Sequence, residues 1–268
     1  MKKVLTIAGS DSCGGAGIQG DLKAMSAQGV YGMSVVTAIT AQNSKGVFAV
    51  QEIDLDIIKR QIEVLYEDID ISSVKVGMLS SSEIIKVVYD TLRSVKGKNV
   101  IIDPVMVSKS GYYLLKEEAI EALKDFLKIG ILVTPNIPEA EILASMKIES
   151  EEDMILAAKK IKNLGVENVL IKGGHREENC MDILLTEKGE IIKFYEEKFE
   201  TKNTHGTGCT LSSTIASYIG KGYSVSESIE KSKKYITDTI KNSFSIGEGV
   251  GPVGHFIDLY RKAGVDFE

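Results

Sequence analysis

Cysteine is scarce in this sequence. The three that occur, Cys13, Cys180 and Cys209, are an odd number with no paired metal-like spacing. That pattern argues against a disulfide framework or a zinc site, and a reducing cytoplasm fits it better. Long apolar runs are missing as well, since no window approaches the ~18 residues of a membrane span. The N-terminal apolar run stops at Gly9-Ser10-Asp11, short of the ~7–15 residues of a secretory leader, and reads as a first strand. Clustered lysine and arginine are also lacking. The formal net charge of -6 is spread along the chain, which argues against a nucleic-acid partner and gives no attraction to an anionic membrane. There is no low-complexity linker, no internal repeat and no charged tail.

What is present is an ordinary globular composition, 43% hydrophobic and 26% charged, with enough apolar residues for one sizeable core. Short β-branched runs alternate with longer periodic segments. Val4–Ala8, Ser34–Thr40, Val74–Gly77, Val100–Ile102, Leu132–Thr134 and Val169–Lys172 read as strands. The spacing predicts helices near Leu22–Gln28, Leu55–Tyr66, Glu83–Val95, Glu117–Leu127 and Asp153–Leu164. This alternation points to a mostly parallel sheet covered on both faces, an α/β fold in a single domain over residues 1–268. Towards the C-terminus, Met181–Thr186 and Ile191–Glu196 read as an antiparallel hairpin. Helices follow at about Gly208–Gly220 and Val225–Asn242, the second with the capping-box signature Ser224-Val225-Ser226-Glu227.

Open α/β sheets bind ligands beyond the carboxyl ends of their strands, and the residues there are rich in chemistry. Gly15-Ala16-Gly17-Ile18-Gln19-Gly20 matches the dinucleotide pattern G-x-G-x-x-G. However, the first strand ends several residues too early, and the next offers no acid for a ribose diol. Gly9–Gly14 begins like a P-loop but has Gly15-Ala16 where lysine and a hydroxyl belong. The functional reading of this run is a loop closing over a ligand, with Asp11 flanking it and Asp21 directed into the site.

His205-Gly206-Thr207-Gly208-Cys209-Thr210 is the better phosphate candidate, because it opens an amphipathic helix whose free amides and dipole favour anions. A plain helix-start turn is the alternative at this point. In the first turn the Cys209 thiol is expected to ionise more readily; its bland reading is a small buried hydrophobe. Asn136-Ile137-Pro138-Glu139 opens another helix, where Glu139 can hold magnesium through water or simply serve the helix start. Asp103, before Pro104, is a second acid after a separate strand and raises the case for a shared cation site.

Taken together, Ile7–Ser12, Gly14–Gln19, Asp21-Leu22-Lys23, Thr40–Asn43, Asp103–Met106, Thr134–Asn136, Lys172–His175 and His205–Ser212 resemble the hydroxymethylpyrimidine/phosphomethylpyrimidine kinases of thiamine biosynthesis. The resemblance runs nearly the whole chain, to Gly251-Pro252-Val253. It implies a ribokinase-like three-layer α/β/α sandwich, with a sheet of about eight or nine strands. It further implies two ATP-dependent phosphorylations of 4-amino-5-hydroxymethyl-2-methylpyrimidine, with Mg2+, in a homodimer. By the same resemblance, Gln42 meets the aminopyrimidine edge, and Gly9, Asp21 and Met78 line that pocket. Asn136, Lys172, Gly173, Gly174, His175, Thr204 and Thr207 belong to the nucleotide side. Asp103 and Glu139 lie near magnesium, Gly206 and Gly208 form the anion hole, and Cys209 takes the catalytic-base position held by aspartate in sugar kinases. Gly20 and Ser44 depart from the family's usual alanine and threonine. The rival readings are a pyridoxal or pyridoxine kinase of the same fold, a non-catalytic ligand-binding regulator, and a sugar kinase, for which the base aspartate is missing.

Overall fold

The structure is a computed structural model describing residues 1–107, 111–174, 180–196 and 199–265. The apolar runs pair into one sheet whose nine strands, among the described residues, are β1 (Lys3–Asp11), β2 (Tyr31–Asn43), β3 (Gly46–Glu52), β4 (Ser73–Val76), β5 (Val100–Ile102), β6 (Leu132–Val133), β7 (Asn168–Ile171), β8 (Cys180–Leu185) and β9 (Ile191–Glu196). Their order is β3-β2-β1-β4-β5-β6-β7-β8-β9. Pairing is parallel from β2 through β1 and β4 to β7, and antiparallel at both margins, β2–β3 and β7–β8–β9.

Helices cover both faces, which is why the central strands have no solvent-facing side. They are α1 (Gly17–Ala27), α2 (Leu55–Asp68), α3 (Ser82–Ser94), α4 (Ile120–Phe126), α5 (Ile137–Ala144), α6 (Glu151–Lys162), α7 (Thr207–Gly220), α8 (Val225–Lys241) and α9 (Ile257–Ala263). The two-residue period of a strand divides the core. Leu5 and Ile7 pack with Ile58 and Ile62 of α2, Val88 of α3 and Met154 of α6. Val4, Ile101 and Leu132 face the opposite layer, with Met25, Leu211, Ile215 and Ile229. Burying one such side chain contributes about 1.5–3 kcal/mol, so truncating Ile101, fully buried between the layers, should cost about 2–5 kcal/mol.

This is the three-layer α/β/α arrangement expected from the alternation, and the Met181–Thr186/Ile191–Glu196 hairpin forms as β8–β9. The Ser224/Glu227 capping box opens α8 as anticipated. Two elements differ. Strand β2 runs on to Asn43 and turns back into β3, an edge strand whose Val47-Phe48-Ala49-Val50 is largely solvent-facing and so carries no clean burial alternation. Helix α1 begins at Gly17, five residues earlier than expected, because its first turn packs against the end of β1. Among the described residues, no helix is long and apolar enough to cross a membrane.

Candidate active site

The carboxyl ends of β1, β2, β4, β5, β6 and β7 open onto one cavity of about 450 Å³. Its wall includes Gly9, Gln42, Met78, Asp103, Asn136, Glu139 and Lys172, together with the run His205–Cys209 that starts α7. The end-of-strand rule therefore locates the site, and it gathers residues from both halves of the sequence.

The first glycine-rich run does not cradle a phosphate here. Its amides turn onto the carboxylate at the end of β1: Cys13 N donates to Asp11 Oδ1 (2.8 Å), and Gly15 N (3.1 Å) and Ala16 N (2.8 Å) donate to Oδ2. The His205 ring contacts the same Oδ2 at 2.8 Å. Burial pushes the Asp11 carboxyl up, but the His205 bond and these amides outweigh it and hold it below its ordinary value. This disposes of the dinucleotide reading, since the amides needed for a pyrophosphate are already used.

The second glycine-rich run is braced by the first. Gly206, at φ 80°, caps α7, and a Cβ there would stand 1.8 Å from the Gly15 carbonyl oxygen. Only glycine permits both the backbone conformation and the approach. Thr207 Oγ1 donates to the Thr204 carbonyl (2.7 Å), tightening the turn. The first amides of a helix have no partner within it, so the wall at 206–209 offers an anion the positive end of a fourteen-residue helix.

Below that helix start lies a charged floor. Lys172 donates to Asp103 Oδ1 at 2.9 Å, Thr134 to the same oxygen at 3.1 Å, and Ser212 of α7 to Oδ2 at 3.2 Å. A methyl group at Gly208 would sit 3.5 Å from Lys172 Nζ and 3.6 Å from Asp103 Oδ2, which fixes this pair directly beneath the anion site. Burial raises the Asp103 carboxyl, but the ammonium groups of Lys172 and Lys75 prevail and hold it low. Glu139 behaves differently. It forms a capping box with Asn136, each backbone amide meeting the other's side chain at 2.9 Å. Burial and the neighbouring Asp103 charge push its carboxyl up to about 7, despite Lys172.

Two expectations need correction, and the nucleotide-side residues are placed as follows. Asp21 does not line the cavity. It is fully buried, with Lys75 Nζ 2.9 Å from both of its oxygens and Thr6 (2.6 Å) and Ser213 (2.7 Å) donating to it. Cys209 is not an easily ionised thiol. Although Lys75 draws it down and the Gly17 amide bonds to the sulfur, burial is the largest influence and pushes it up to about 11. Gly173, Gly174 and Thr204 stand off the cavity wall; the Gly173 amide is taken by Asp182 Oδ1 at 2.9 Å. His175 lies outside the described residues. Of the other cysteines, Cys13 is half-buried at the loop, and burial and Asp11 push its thiol up.

Sequence reasoning passed over Lys75 and assigned no separate role to His205. Lys75 did leave a signal: an ammonium in the middle of the four-residue, wholly buried strand Ser73–Val76 requires a buried counterion. Gln42 is held on the cavity wall beside His205. Its backbone exchanges hydrogen bonds with Ser12 (2.7 and 2.8 Å), and its terminal amide lies 3.3 Å from both His205 Nε2 and Thr40 Oγ1.

A ribokinase-like sheet, a glycine-capped anion site and an adjoining lysine–carboxylate floor define the class: this is a small-molecule kinase. The phosphomethylpyrimidine kinase profile matches residues 11–254, and the chain belongs to that family. It is 42% identical over 261 residues to the hydroxymethylpyrimidine/phosphomethylpyrimidine kinase of Haemophilus influenzae, covering 96% of this chain and 97% of that one. Among solved structures, phosphomethylpyrimidine kinase from Clostridium difficile is 49% identical with a TM-score of 0.81, covering 90% of this chain and all of that one. An ADP complex of Bacillus subtilis pyridoxal kinase is 40% identical with a TM-score of 0.89, covering 96% and 98%.

Proposed function

We propose that this chain phosphorylates 4-amino-5-hydroxymethyl-2-methylpyrimidine with ATP, and then converts the monophosphate to the diphosphate, in thiamine biosynthesis. The observation that carries the reading is that Gln42, the α7 start and the Lys172–Asp103 pair line one cavity of about 450 Å³. Gln42 takes the aminopyrimidine edge, with Gly9 and Met78 against the ring. Lys172 and the amides around Gly206 and Gly208 stabilise charge on the transferring phosphoryl group, with Thr207 beside the nucleotide. Asn136 belongs to the nucleotide side of the cavity, and Gly173, Gly174 and Thr204 to the surface beyond it, where the rest of ATP extends.

Asp103 and Glu139 are an all-oxygen pair and suit a hard cation. Their oxygens already accept from Lys172, Thr134, Ser212 and the Asn136 amide, so they would hold Mg2+ through its water shell. Held there, it would supply neutralisation of charge on the nucleotide oxygens. Cys209 takes the proton of the hydroxymethyl group in the first step. In the second step the acceptor is already a phosphate and needs little base.

The chain is one catalytic domain acting in the cytoplasm, where its free Cys13 and Cys209 stay reduced. It works as a homodimer, a reading supported by the exposed β2–β3 margin, where Phe48 is 68% exposed. The overlap with Bacillus subtilis pyridoxal kinase favours a second reading, pyridoxal phosphorylation. Incubating purified protein with ATP, Mg2+ and each acceptor, followed by phosphorus NMR, tests both. Successive pyrimidine mono- and diphosphate signals are expected; faster turnover of pyridoxal would replace the first reading with the second.

A further inference from the structure

The terminal amide of Gln42 is placed with its nitrogen 3.3 Å from His205 Nε2 and its oxygen 3.3 Å from Thr40 Oγ1. The oxygen and nitrogen of such an amide are told apart by their partners, and here the partners speak. Asp11 Oδ2, 2.8 Å from His205 Nε2, also accepts the Gly15 and Ala16 amides and belongs to a carboxylate, so the ring nitrogen facing it carries a hydrogen. A ring nitrogen that carries a hydrogen has no lone pair left to accept, so an amide nitrogen placed 3.3 Å from it finds no partner, whereas an amide oxygen there can share that hydrogen. Thr40 has one hydroxyl hydrogen and spends it on the Ser10 carbonyl at 2.9 Å, an atom that can only accept. Its lone pairs therefore call for a donor. Both neighbours ask for the same exchange, from opposite ends of the amide.

We infer that His205 and Thr40 fix the Gln42 amide with its oxygen towards His205 and its nitrogen towards Thr40, and that this order decides which way a bound aminopyrimidine points its reactive arm. The inference rests on the substrate proposed above. The edge of that ring presents a ring-nitrogen acceptor beside an amino donor, and the hydroxymethyl carbon lies next along, on the amino side. The amino group pairs with the amide oxygen, so the arm falls on the His205 side, where the chain runs directly into Gly206–Cys209. The opposite amide order would turn the ring over and point the arm away from the phosphoryl site. His205 is thus a positioning residue acting through Gln42, and it makes specificity a matter of donor and acceptor order as well as of fit.

The test uses a reversed edge. The 4-oxo analogue, 5-hydroxymethyl-2-methylpyrimidin-4-one, offers an acceptor where the amino group stood and a donor at the ring nitrogen. Wild type should prefer the amino compound by a factor on the order of 10⁴ in kcat/KM, the scale for a site whose hydrogen bonds are mismatched. The analogue should still inhibit competitively, bound with its arm turned away. In His205→Gln, whose own amide can turn either way, and in Thr40→Val, the preference should shrink at least tenfold. Comparable turnover of the two compounds by wild type, or an unchanged preference in both variants, would overturn the inference. A substrate-independent arm uses nitrogen-15 NMR of the three histidines, with His205 assigned by the variant. A protonated Nε2 is expected, and an unprotonated one refutes the amide order whatever the substrate. If wild type phosphorylates neither pyrimidine, the assigned substrate fails, and the ring orientation fails with it.

Discussion

Cys209 offers the sharpest check on the mechanism, because its surroundings set a pH dependence. Burial against α1 pushes its thiol up to about 11. At pH 7 only about one molecule in 10⁴ then carries the thiolate, and each unit of pH multiplies that fraction about tenfold. A group that must accept a proton is active when deprotonated, so the rate rises with pH. The first phosphorylation should therefore climb about 100-fold in kcat between pH 7 and 9, a slope near one on logarithmic axes. The second should stay nearly flat, because a phosphate monoester with its second pKa at about 6 is already dianionic in this range. The assay follows ADP release at saturating ATP and Mg2+, with the alcohol and its monophosphate as separate substrates. Cys209→Ala should abolish the slope and lower the first step by about 10²–10⁴, while the second step falls only a few-fold. A first step that is flat from pH 7 to 9, or a variant losing the same factor in both steps, would refute Cys209 as the base.

Three further outcomes follow from the geometry. Lys75→Met strands a fully buried Asp21 carboxylate and should cost about 3–5 kcal/mol in urea unfolding, most of it recovered when Asp21→Leu is added. Gly206→Ala, with φ at 80° and a Cβ 1.8 Å from the Gly15 oxygen, should lower the melting temperature and depress both phosphorylations together; wild-type rates would contradict the bracing of one loop by the other. Burial, aided by Lys23, lowers His255 from 6.5 to about 4, so its neutral form is favoured by the fold. That contribution is complete above pH 6.5 and is lost as pH falls towards 4, about 3 kcal/mol in all; His255→Asn should flatten that part of the stability profile.

How far the sequence reveals such features depends on whether they are local. The strands at Val4, Val100 and Val169 are apolar runs cut by turn residues, and the capping boxes at Ser224 and Asn136 are local spacings, so both kinds of element can be read directly. The edge strand at Val47–Val50 cannot, because half-exposed residues leave no periodic trace. The site residues divide in the same way. Asp103, Lys172, Gln42 and Gly206 can be found because they follow strands or open a helix. The full burial of Asp21 and the half-buried wall position of Cys209 are set by α7 lying across α1 and β4, and nothing within a few residues of either records that. A cysteine in a first helical turn suggests an ionisable thiol; at Cys209, half-buried in the cavity wall, desolvation overrides the helix dipole.

The two glycine-rich runs show why their chemistry could be assigned only once both were in view. Each satisfies the local pattern of a phosphate loop, and α1 and α7 would both serve an anion if free. They are not equivalent, because Asp11 sits within reach of the first run and engages Cys13, Gly15 and Ala16 as an internal anion. That fold points the Gly15 carbonyl at Gly206 and holds His205 through Asp11. The first run thereby becomes the rigid support of the second, whose helix-start amides at Gly208 and Cys209 have no partner within α7. Rigidity matters for phosphoryl transfer, since donors fixed in advance stabilise developing charge without reorganising. Glycine is thus required at each place for its own reason: at Gly15 to admit the His205 ring, at Gly17 for a φ of 52° and close approach to the Gly9 carbonyl, and at Gly206 to let the wrapped loop press against the helix start.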